Sequence, residues 1–274
     1  MTVADAIRAA AESLASTSDT ARLDAELLMA HALEVSRSDM LVHAMRNDAP
    51  VGFDAMISRR EASEPVAYII GATEFFGRSF EVEPGILVPR SDSEAWIDAA
   101  LDICPDPSQI LDLGTGSGCL LLTMLAERPQ ASGIGIDASP VAVEIASKNA
   151  KDLGLQSHCE FKLRSWHDEG WSDDLGSFDL VLCNPPYVEA DAALDPDVKN
   201  YEPASALFAG AEGLDDYRVL IPQLRKLMNE YAVAIFEIGH TQADAVTKIA
   251  EEVGLSVEMR RDLANRPRAL IFRV

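Results

Sequence analysis

The first 72 residues show the hydrophobic spacing of helices. Apolar residues recur at intervals of three and four in DAIRAAAESLAS and in DTARLDAELLMAHALEV, where Asp19 is in position to cap the second helix. SRSDMLVHAM follows as a third helix, and RREASEPVAYIIG adds an element that Pro65 interrupts. We therefore predict a small all-helical domain over residues 1–72.

Residues 73–90, TEFFGRSFEVEPGILVPR, have a different pattern. Aromatic and β-branched residues are bounded here by Gly77 and by the pair Pro84-Gly85. Such a pattern is typical of a β-hairpin or an extended linker. We predict that this segment joins the helical domain to the rest of the chain.

From residue 91 onward, short apolar runs alternate with amphipathic ones. The predicted strands are QILDLG, SGIGID, CEFKLR, FDLVLCN, YAVAIFEIG, SVEMRRD and ALIFRV. The predicted helices are SDSEAWIDAALDI (capped by Ser91 or Ser93), CLLLTMLAERP, PVAVEIASKNAKDLG, YRVLIPQLRKLMN and TQADAVTKIAEEVG. This alternation predicts an α/β domain over residues 91–274, with a mostly parallel sheet and a terminal antiparallel hairpin at its edge.

The composition limits the classes of protein to which the chain can belong. The 274 residues are 48% hydrophobic, with a mean hydropathy of +0.02, which is typical of a globular protein. No apolar run approaches the roughly 18 residues of a membrane-spanning helix, and the N-terminus does not show the pattern of a secretion signal. We expect no membrane partner and a cytoplasmic location.

The chain is strongly acidic, with 45 acidic against 23 basic residues and a formal net charge of −22. Proteins that bind duplex DNA gain much of their affinity from Lys and Arg side chains that neutralise phosphates. We therefore expect no direct DNA binding, although solubility alone accounts for most of this acidity.

The cysteines and histidines favour no metal site. Cys104, Cys119, Cys159 and Cys183 are far apart, and the five histidines show neither HxH nor HxxxH spacing. Three of the cysteines lie in apolar runs, so buried reduced thiols are the favoured interpretation.

A glycine-rich loop follows the first strand of the α/β domain. ILDLGTGSGCL runs from the strand through Gly114, Gly116 and Gly118 into a helix, and Asp137 ends the next strand. In open parallel sheets the ligand crevice lies at the carboxyl ends of the strands. Glycines there let a ligand approach the backbone, and a carboxylate at Asp137 is well placed for ribose hydroxyls.

The spacing of this loop separates two cofactor classes. A dinucleotide-binding loop has the spacing G-x-G-x-x-G, whose third glycine falls where this chain has Cys119. The carboxylate of Asp112 would repel a pyrophosphate but attract the sulfonium and ammonium groups of S-adenosylmethionine. The loop therefore favours S-adenosylmethionine over NAD. The alternative without a ligand is a turn that only packs a helix on a strand.

The predicted strand FDLVLCN leads into Asn184-Pro185-Pro186-Tyr187. Asn184 and Pro185 each precede a proline, which restricts the loop to extended geometry. Asn184 Oδ1 and the Pro185 carbonyl would accept both N–H groups of a planar nitrogen, either an amide or an aromatic amine, with Tyr187 packed against the flat group. In the alternative hypothesis the loop only ends the strand and Tyr187 caps the core.

Together these motifs resemble the HemK/PrmC family of protein-(glutamine) methyltransferases. The similarity covers nearly the whole chain, through EPVAYIIGATEFFG, ILVPR, DLGTGSGCL, GIDASPVAVEIASKNA, NPPY, YEPASALFAGAEGLDDYR and FEIGHTQ. It implies a Rossmann-like class I S-adenosylmethionine-dependent methyltransferase domain. The implied reaction methylates the side-chain amide of the glutamine in the Gly-Gly-Gln motif of peptide-chain release factors and leaves S-adenosylhomocysteine. The helical N-terminal domain would help to recognise the release factor.

The resemblance also implies roles for particular residues. Together with the charge argument for Asp112, it gives a cofactor set of Asp112, Gly114, Thr115, Gly116, Ser117, Gly118, Asp137, Trp166 and Asn184. The implied substrate-binding residues are Asn184, Pro185, Pro186, Tyr187 and Arg90, and the first two would be catalytic. Trp166 would stack on adenine.

The chain departs from the family pattern in two places. Ser91-Asp92-Ser93-Glu94 stands where the family usually has Pro-Glu-Thr-Glu, and the lost proline predicts a less rigid helix start. Asn265 stands where a glycine is common, and asparagine tolerates the left-handed backbone.

Three other functions share parts of this pattern. A glutamine methyltransferase acting on a large-subunit ribosomal protein has the same chemistry but is expected to differ in its N-terminal module. A DNA adenine amino-methyltransferase shares NPPY but should carry a basic target-recognition segment, which this sequence lacks. A non-catalytic binding module is disfavoured by the intact glycine loop and NPPY.

Overall fold

The computed structural model describes residues 1–262 and 265–274, which form two compact units. The first unit comprises Met1–Ala72 and Leu194–Tyr201, and the second comprises Thr73–Ala193 and Glu202–Val274. The segment Leu194–Tyr201 thus groups with the helices of the first unit, although it lies inside the stretch that the sequence pattern assigns to the α/β domain.

Helices and strands are numbered here along the chain. In the described residues the α-helices are α1 (Val3–Leu14), α2 (Ala21–Ala32), α3 (Arg37–Asp39, continued by a π-helical turn at Met40–Ala44), α4 (Phe53–Glu61), α5 (Val66–Ile70), α6 (Asp92–Ile103), α7 (Cys119–Glu127), α8 (Pro140–Asp152), α9 (Pro196–Tyr201), α10 (Asp215–Leu220), α11 (Leu224–Leu227) and α12 (Ala243–Glu252). The strands are β1 (Ala72–Phe75), β2 (Arg78–Glu81), β3 (Gln109–Leu113), β4 (Ser132–Asp137), β5 (Cys159–Leu163), β6 (Phe178–Cys183), β7 (Met228–Glu237), β8 (Ser256–Arg261) and β9 (Pro267–Arg273).

The helices of the first unit begin at local sequence signals. Ser36 Oγ accepts a hydrogen bond from the N–H of Asp39 at the start of α3, and Pro65 immediately precedes α5. The prediction of Asp19 as the N-cap of α2 is wrong, because this helix begins after Thr20.

A buried ion pair joins the helices of the first unit. Arg60 Nε donates to Asp24 Oδ2 over 2.7 Å, and both side chains are 7% exposed. Asp24 also accepts hydrogen bonds from two neighbouring hydroxyls, so its buried charge is compensated from several sides. Tyr201 Oη donates to the carbonyl of Ala62 over 2.9 Å, which ties α9 to the other helices of the unit.

The second unit combines the hairpin of β1 and β2 with a seven-stranded sheet. The strand order of this sheet is β5-β4-β3-β6-β7-β9-β8. Strands β3 to β7 pair in parallel, whereas β9 pairs antiparallel with both β7 and β8. The predicted α/β class, with a mostly parallel sheet and an antiparallel hairpin at its edge, is confirmed.

The strand order brings several strand ends together. The chain enters the sheet at β3, proceeds outward to β4 and β5, and returns to β6 on the other side of β3. In open α/β sheets the ligand crevice lies outside the carboxyl ends of the strands at such a reversal. Here β3 leads into Gly114, β4 ends at Asp137 and β6 leads into Asn184.

Strand β6 explains why the sequence has a continuous apolar run before NPPY. Val181 and Cys183 pack into the core on one face of the sheet, and Leu180 and Leu182 pack into the core on the other. Because both faces are covered, alternate positions are equally apolar.

One prediction of a helix end is wrong, and another is right in position only. YRVLIPQLRKLMN is not one helix, because a 3₁₀ turn at Ile221–Gln223 separates α10 from α11, and its last two residues belong to β7. Pro222 lacks the N–H that a continuous helix needs at this position. Ser91 occupies the N-cap position of α6 but makes no capping hydrogen bond through its side chain.

The second departure from the family pattern behaves as expected. Asn265 has φ 61°, in the left-handed region. Its N–H donates to the carbonyl of Asp262 over 2.9 Å.

No helix in the described ranges is long and apolar enough to cross a membrane. The longest of them, α8, has 13 residues, or about 20 Å of helix against a hydrocarbon core of about 30 Å.

Gly135 in β4 supports the glycine loop from below, and we predict that Gly135→Ala destabilises the fold. A Cβ there would lie 2.6 Å from Phe161 Cδ1 and 2.8 Å from Thr115 Oγ1. Overpacking of this kind costs about 1–3 kcal/mol, so the midpoint of thermal unfolding should fall by roughly 2–10 °C. Ser132→Ala on the same strand is the control, and an equal midpoint in both variants would contradict the argument.

Candidate functional site

A cavity of about 430 Å³ lies at the carboxyl edge of the sheet in the second unit. Its lining residues are Gly85, Ile86, Leu87, Gly114, Gly116, Asp137, Ala138, Ser139, Ala142, Ser165, Trp166, His167, Asn184, Pro186, Pro203, Ser205, Ala206, Phe208 and Asp216. Its volume lies within the range of about 300–1,000 Å³ found for small-molecule and cofactor sites.

The glycine loop forms one wall of this cavity. Gly114, Gly116 and Gly118 have φ values of 72°, 55° and 80°, which favour glycine. A Cβ on Gly114 would come within 3.2 Å of Trp166 Cη2. A bare backbone at Gly114 therefore lets the indole ring lie directly against the loop.

Asp137 links the glycine loop to the next helix. Its Oδ2 accepts a hydrogen bond from the N–H of Gly116, and its Oδ1 accepts one from the N–H of Ser139, each over 2.9 Å. Burial raises the pKa of this carboxyl, and the backbone hydrogen bonds oppose that shift. The carboxylate is therefore fixed in position beside the cavity.

Asp112 lies beneath the glycine loop, where it is fully buried. Thr115 Oγ1 donates to its Oδ2 over 2.7 Å, and no described residue gives its buried Oδ1 a hydrogen-bond partner. Burial raises the pKa of Asp112 to about 7. Burial thus favours the neutral form of this carboxyl far more than that of an exposed aspartate, whereas the residue type alone suggests a carboxylate.

Trp166 is held from the side by a buried carboxylate. Its Nε1 donates to Asp216 Oδ1 over 2.7 Å, and His167 Nε2 lies 3.0 Å from the same oxygen. Sequence reasoning missed Asp216, which the segment GLDDYR contains without any distinguishing pattern.

The NPPY loop borders both the main cavity and a smaller one of about 50 Å³. Asn184 lines both cavities, and the side chains of Pro185 and Pro186 are buried. Gln242 Nε2 donates to the carbonyl of Tyr187 over 2.9 Å. The loop is therefore held by packing at its prolines and by a hydrogen bond at its end.

Glu237, at the end of β7, anchors the tyrosine of this loop. Its Oε1 accepts from Tyr187 Oη over 3.2 Å, and its Oε2 accepts from Ser93 Oγ over 2.5 Å and from Trp96 Nε1 over 3.1 Å. Burial raises the pKa of Glu237, and these donors oppose the shift. The acid after the apolar run AVAIF, at the end of a predicted parallel strand, was the available sequence signal for this residue.

Arg90 and the start of α6 form the side of the smaller cavity. Arg90 Nη2 donates to Glu202 Oε2 over 2.5 Å. Asp92 Oδ2 accepts from Arg268 Nη2 over 2.5 Å, and Ser93 is bonded to Glu237. The residues that depart from the family pattern thus tie this helix start to other elements, in place of the stiffness of a proline.

The predicted site residues divide among three concave regions of the second unit. The main cavity contains Gly114, Gly116, Asp137, Trp166, Asn184 and Pro186. The smaller cavity shares Gly114, Gly116 and Asn184 and adds Thr115, Ser117 and Arg90. Arg90 and Tyr187 also line a third cleft with Glu237 and Arg268. Among the described residues, Asp112, Gly118 and Pro185 line none of these three regions.

Comparison with protein families divides the chain in a similar way. Residues 5–71 match the family described as the PrmC N-terminal domain. Residues 106–253 match a methyltransferase domain.

Known relatives match over the length of the chain. A release factor glutamine methyltransferase of Cereibacter sphaeroides is 39% identical, and the match covers 100% of this chain and 99% of that protein. A protein of the same name from Rhodospirillum rubrum is 40% identical, over 92% of this chain and 78% of that protein. Among solved structures, the hMettl16 catalytic domain in complex with MAT2A 3'UTR hairpin 6 has a TM-score of 0.57 at 15% identity, covering 76% of this chain and 81% of that one. This last likeness concerns the fold alone.

The burial of Asp112 predicts a pH-dependent effect of Asp112→Asn on stability. The usual carboxyl pKa of 3.8 rises in the folded protein to about 7. The wild-type carboxyl therefore makes its full contribution to the stability of the folded state below about pH 4. This contribution is lost as the pH rises through about 7. Asparagine keeps an acceptor for Thr115 without the buried charge.

As the pH rises from 4 to 8, the free energy of unfolding of Asp112→Asn should increase by a few kcal/mol relative to that of the wild type. One pKa unit corresponds to about 1.4 kcal/mol. Urea unfolding of both proteins at the two pH values measures this, with the exposed Asp191→Asn as control. A difference between variant and wild type that does not change with pH would contradict the assigned shift.

Proposed function

This chain belongs to the family of release factor glutamine methyltransferases, and we propose that it transfers a methyl group from S-adenosylmethionine to the side-chain amide of the glutamine in the Gly-Gly-Gln motif of a peptide-chain release factor. The observation that carries this proposal is the meeting of Asn184 with the glycine loop and Asp137 around one cavity. That arrangement puts the predicted amide-binding loop beside the predicted cofactor loop.

The residues of the cavity fit S-adenosylmethionine. The bare backbone of Gly114 and Gly116 leaves room beside Trp166, and Asp137 offers fixed acceptors for ribose hydroxyls. Asp112, buried below the loop, carries a negative charge in its ionised form, and a nearby cationic ligand would favour that form. When bound, the cofactor supplies an electrophilic methyl group on a sulfonium.

Asn184 and Pro185 are the proposed catalytic residues. An amide nitrogen is a poor nucleophile because its lone pair is delocalised. Asn184 Oδ1 and the Pro185 carbonyl accept its two N–H groups, and these bonds strengthen as positive charge develops on the nitrogen. Pro185 and Pro186 restrict the backbone of the loop, so little conformational entropy is lost when the glutamine binds.

Tyr187 and Arg90 are proposed for the substrate side of the site. Tyr187 would pack against the flat amide of the glutamine, and its ring is oriented by the hydrogen bond to Glu237. Arg90, oriented by Glu202, lines the smaller cavity next to Asn184. The helices of the first unit are proposed to recognise the body of the release factor, and the reaction is proposed to take place in the cytoplasm.

Mass spectrometry of an unmethylated release factor after incubation with the enzyme and labelled S-adenosylmethionine tests the function. We expect one added methyl group on the Gly-Gly-Gln peptide and none on a substrate whose glutamine is replaced by alanine. A parallel incubation with large-subunit ribosomal proteins tests the alternative target. Equal label on the alanine control would overturn the assignment of the glutamine.

We predict that Asn184→Ala lowers turnover much more than cofactor affinity. Loss of one acceptor that acts on developing charge typically costs about 10²–10³ in kcat. The dissociation constant for S-adenosylhomocysteine, measured by calorimetry, should change by less than about threefold, because most of the cavity wall is intact. Near-normal turnover of this variant would contradict the alignment of the amide by Asn184.

Asp137→Ala is the matched comparison for Asn184→Ala, and in this variant we expect the loss to appear in cofactor affinity. It removes the proposed ribose acceptor and also the partner of the Gly116 and Ser139 N–H groups. The affinity for S-adenosylhomocysteine should therefore fall by about tenfold or more. Unchanged affinity would remove Asp137 from the proposed cofactor site.

We also predict that Tyr187→Phe raises the KM for the release factor by about three- to tenfold, with little effect on cofactor affinity. The variant keeps the ring but loses the hydrogen bond that orients it on Glu237, a bond to a carboxylate. Steady-state kinetics with varied release factor measures this. Tyr231→Phe, at a tyrosine that is 88% exposed, is the control, and equal KM values for the two variants would reject the role of the Tyr187 hydroxyl.

A further inference from the structure

Asp216 is a buried carboxylate that faces the main cavity and has no role among the predicted site residues. Asp216 is only 6% exposed, yet it lines the cavity together with Trp166 and His167. It lies in α10, whereas the two aromatic residues lie in the segment after β5, about 50 positions earlier in the chain. One oxygen, Oδ1, accepts the indole N–H of Trp166 and lies within hydrogen-bond distance of the His167 ring.

The orientation of Trp166 depends on this carboxylate. The ring is half-buried, and its six-membered part lies against the bare backbone of Gly114. The segment that carries it, residues 164–168, has no helix or strand to fix the side chain. The bond of 2.7 Å to Asp216 is therefore the polar contact that fixes the rotation of the indole about its side-chain bonds.

We propose that Asp216 is a positioning residue for the cofactor: it holds the indole of Trp166 as a preformed wall of the cavity against which the adenine ring packs. The proposal rests on the proposed function and adds to it a residue outside the glycine loop, Asp137 and NPPY. Asp216 acts through Trp166 and needs no contact of its own with the cofactor.

Removing this carboxylate should weaken the binding of the cofactor. Without Asp216, the indole N–H loses its acceptor, and the ring gains rotational freedom that the ligand must then remove. A preformed aromatic wall avoids that cost because its entropy is lost during folding. The neighbour Asp215, whose side chain is 59% exposed and pairs with Arg218, does not touch Trp166 in the described contacts.

Calorimetric binding of S-adenosylhomocysteine to Asp216→Ala tests the proposal. We expect the dissociation constant to rise about tenfold, whereas the matched control Asp215→Ala should stay within about twofold of the wild type. Asp216→Asn retains an acceptor oxygen for the indole and should restore most of the affinity. If Asp216→Ala does not fold, Asp216→Leu replaces it, because leucine has a similar branched shape and no acceptor.

A double-mutant cycle with Trp166→Phe separates positioning from other roles. Phenylalanine has no N–H, so adding Asp216→Ala to Trp166→Phe should change the dissociation constant by less than about twofold. Tryptophan fluorescence supplies a second readout, because Trp96 and Trp171 are buried in the core and the emission that is lost in Trp166→Phe reports on this ring. That emission should shift in Asp216→Ala and not in Asp215→Ala.

The outcomes separate this proposal from the proposed function. If the wild type binds S-adenosylhomocysteine and methylates the release factor while Asp216→Ala binds as tightly, only the positioning role is overturned. Independent, additive losses in the double variant also overturn it, because they would mean that Asp216 acts without Trp166. A wild type that binds no S-adenosylhomocysteine overturns the proposed function itself.

Discussion

The candidate site depends on carboxylates that are held partly or wholly out of water and that collect hydrogen-bond donors from separate segments. Asp137 joins the glycine loop to the start of α8, Asp216 joins α10 to Trp166, and Glu237 joins β7 to Tyr187 and to α6. A buried carboxylate without donors is costly, so each of these acids fixes the geometry of the groups that satisfy it. The loops around the cavity are therefore held by charge-assisted bonds in addition to apolar packing.

Asp137 and Asp216 line the main cavity, Glu237 lines the neighbouring cleft, and Asp112 lies beneath the glycine loop, so this edge of the sheet is acidic. Burial raises the pKa of Asp112, Asp137 and Glu237, because the charged form loses its hydration. A cationic ligand relieves part of that penalty, whereas a pyrophosphate would add to it. The acidity of the sheet edge and the spacing of the glycines thus both favour a cationic cofactor over a dinucleotide.

Much of this arrangement could be predicted from sequence, because the periodicity of apolar residues and the rule for parallel strands place Gly114, Asp137 and Asn184 at one sheet edge. The contacts of Asp216 and Glu237 could not, since their partners Trp166 and Tyr187 lie 50 positions away and no local pattern links them. The raised pKa of Asp112 could not be predicted from the sequence either, because it depends on how completely the loop and β4 cover the carboxyl. The helix break at Pro222, by contrast, could have been predicted from the sequence, because proline lacks the N–H that a continuous helix needs.

The same contacts bear on how an amide can be methylated without a strong base. Asp137, Asp216 and Glu237 already accept hydrogen bonds from the protein, and their oxygens serve to orient loops rather than to remove protons. Asn184, which is neutral, is the side chain proposed to meet the glutamine nitrogen. A neutral acceptor stabilises the positive charge that develops on that nitrogen, and the proton can leave once the new bond has made it acidic. In the proposed site, the charged oxygens are thus bonded to the protein and position its loops, and the neutral oxygens of Asn184 and Pro185 are the ones that would meet the substrate.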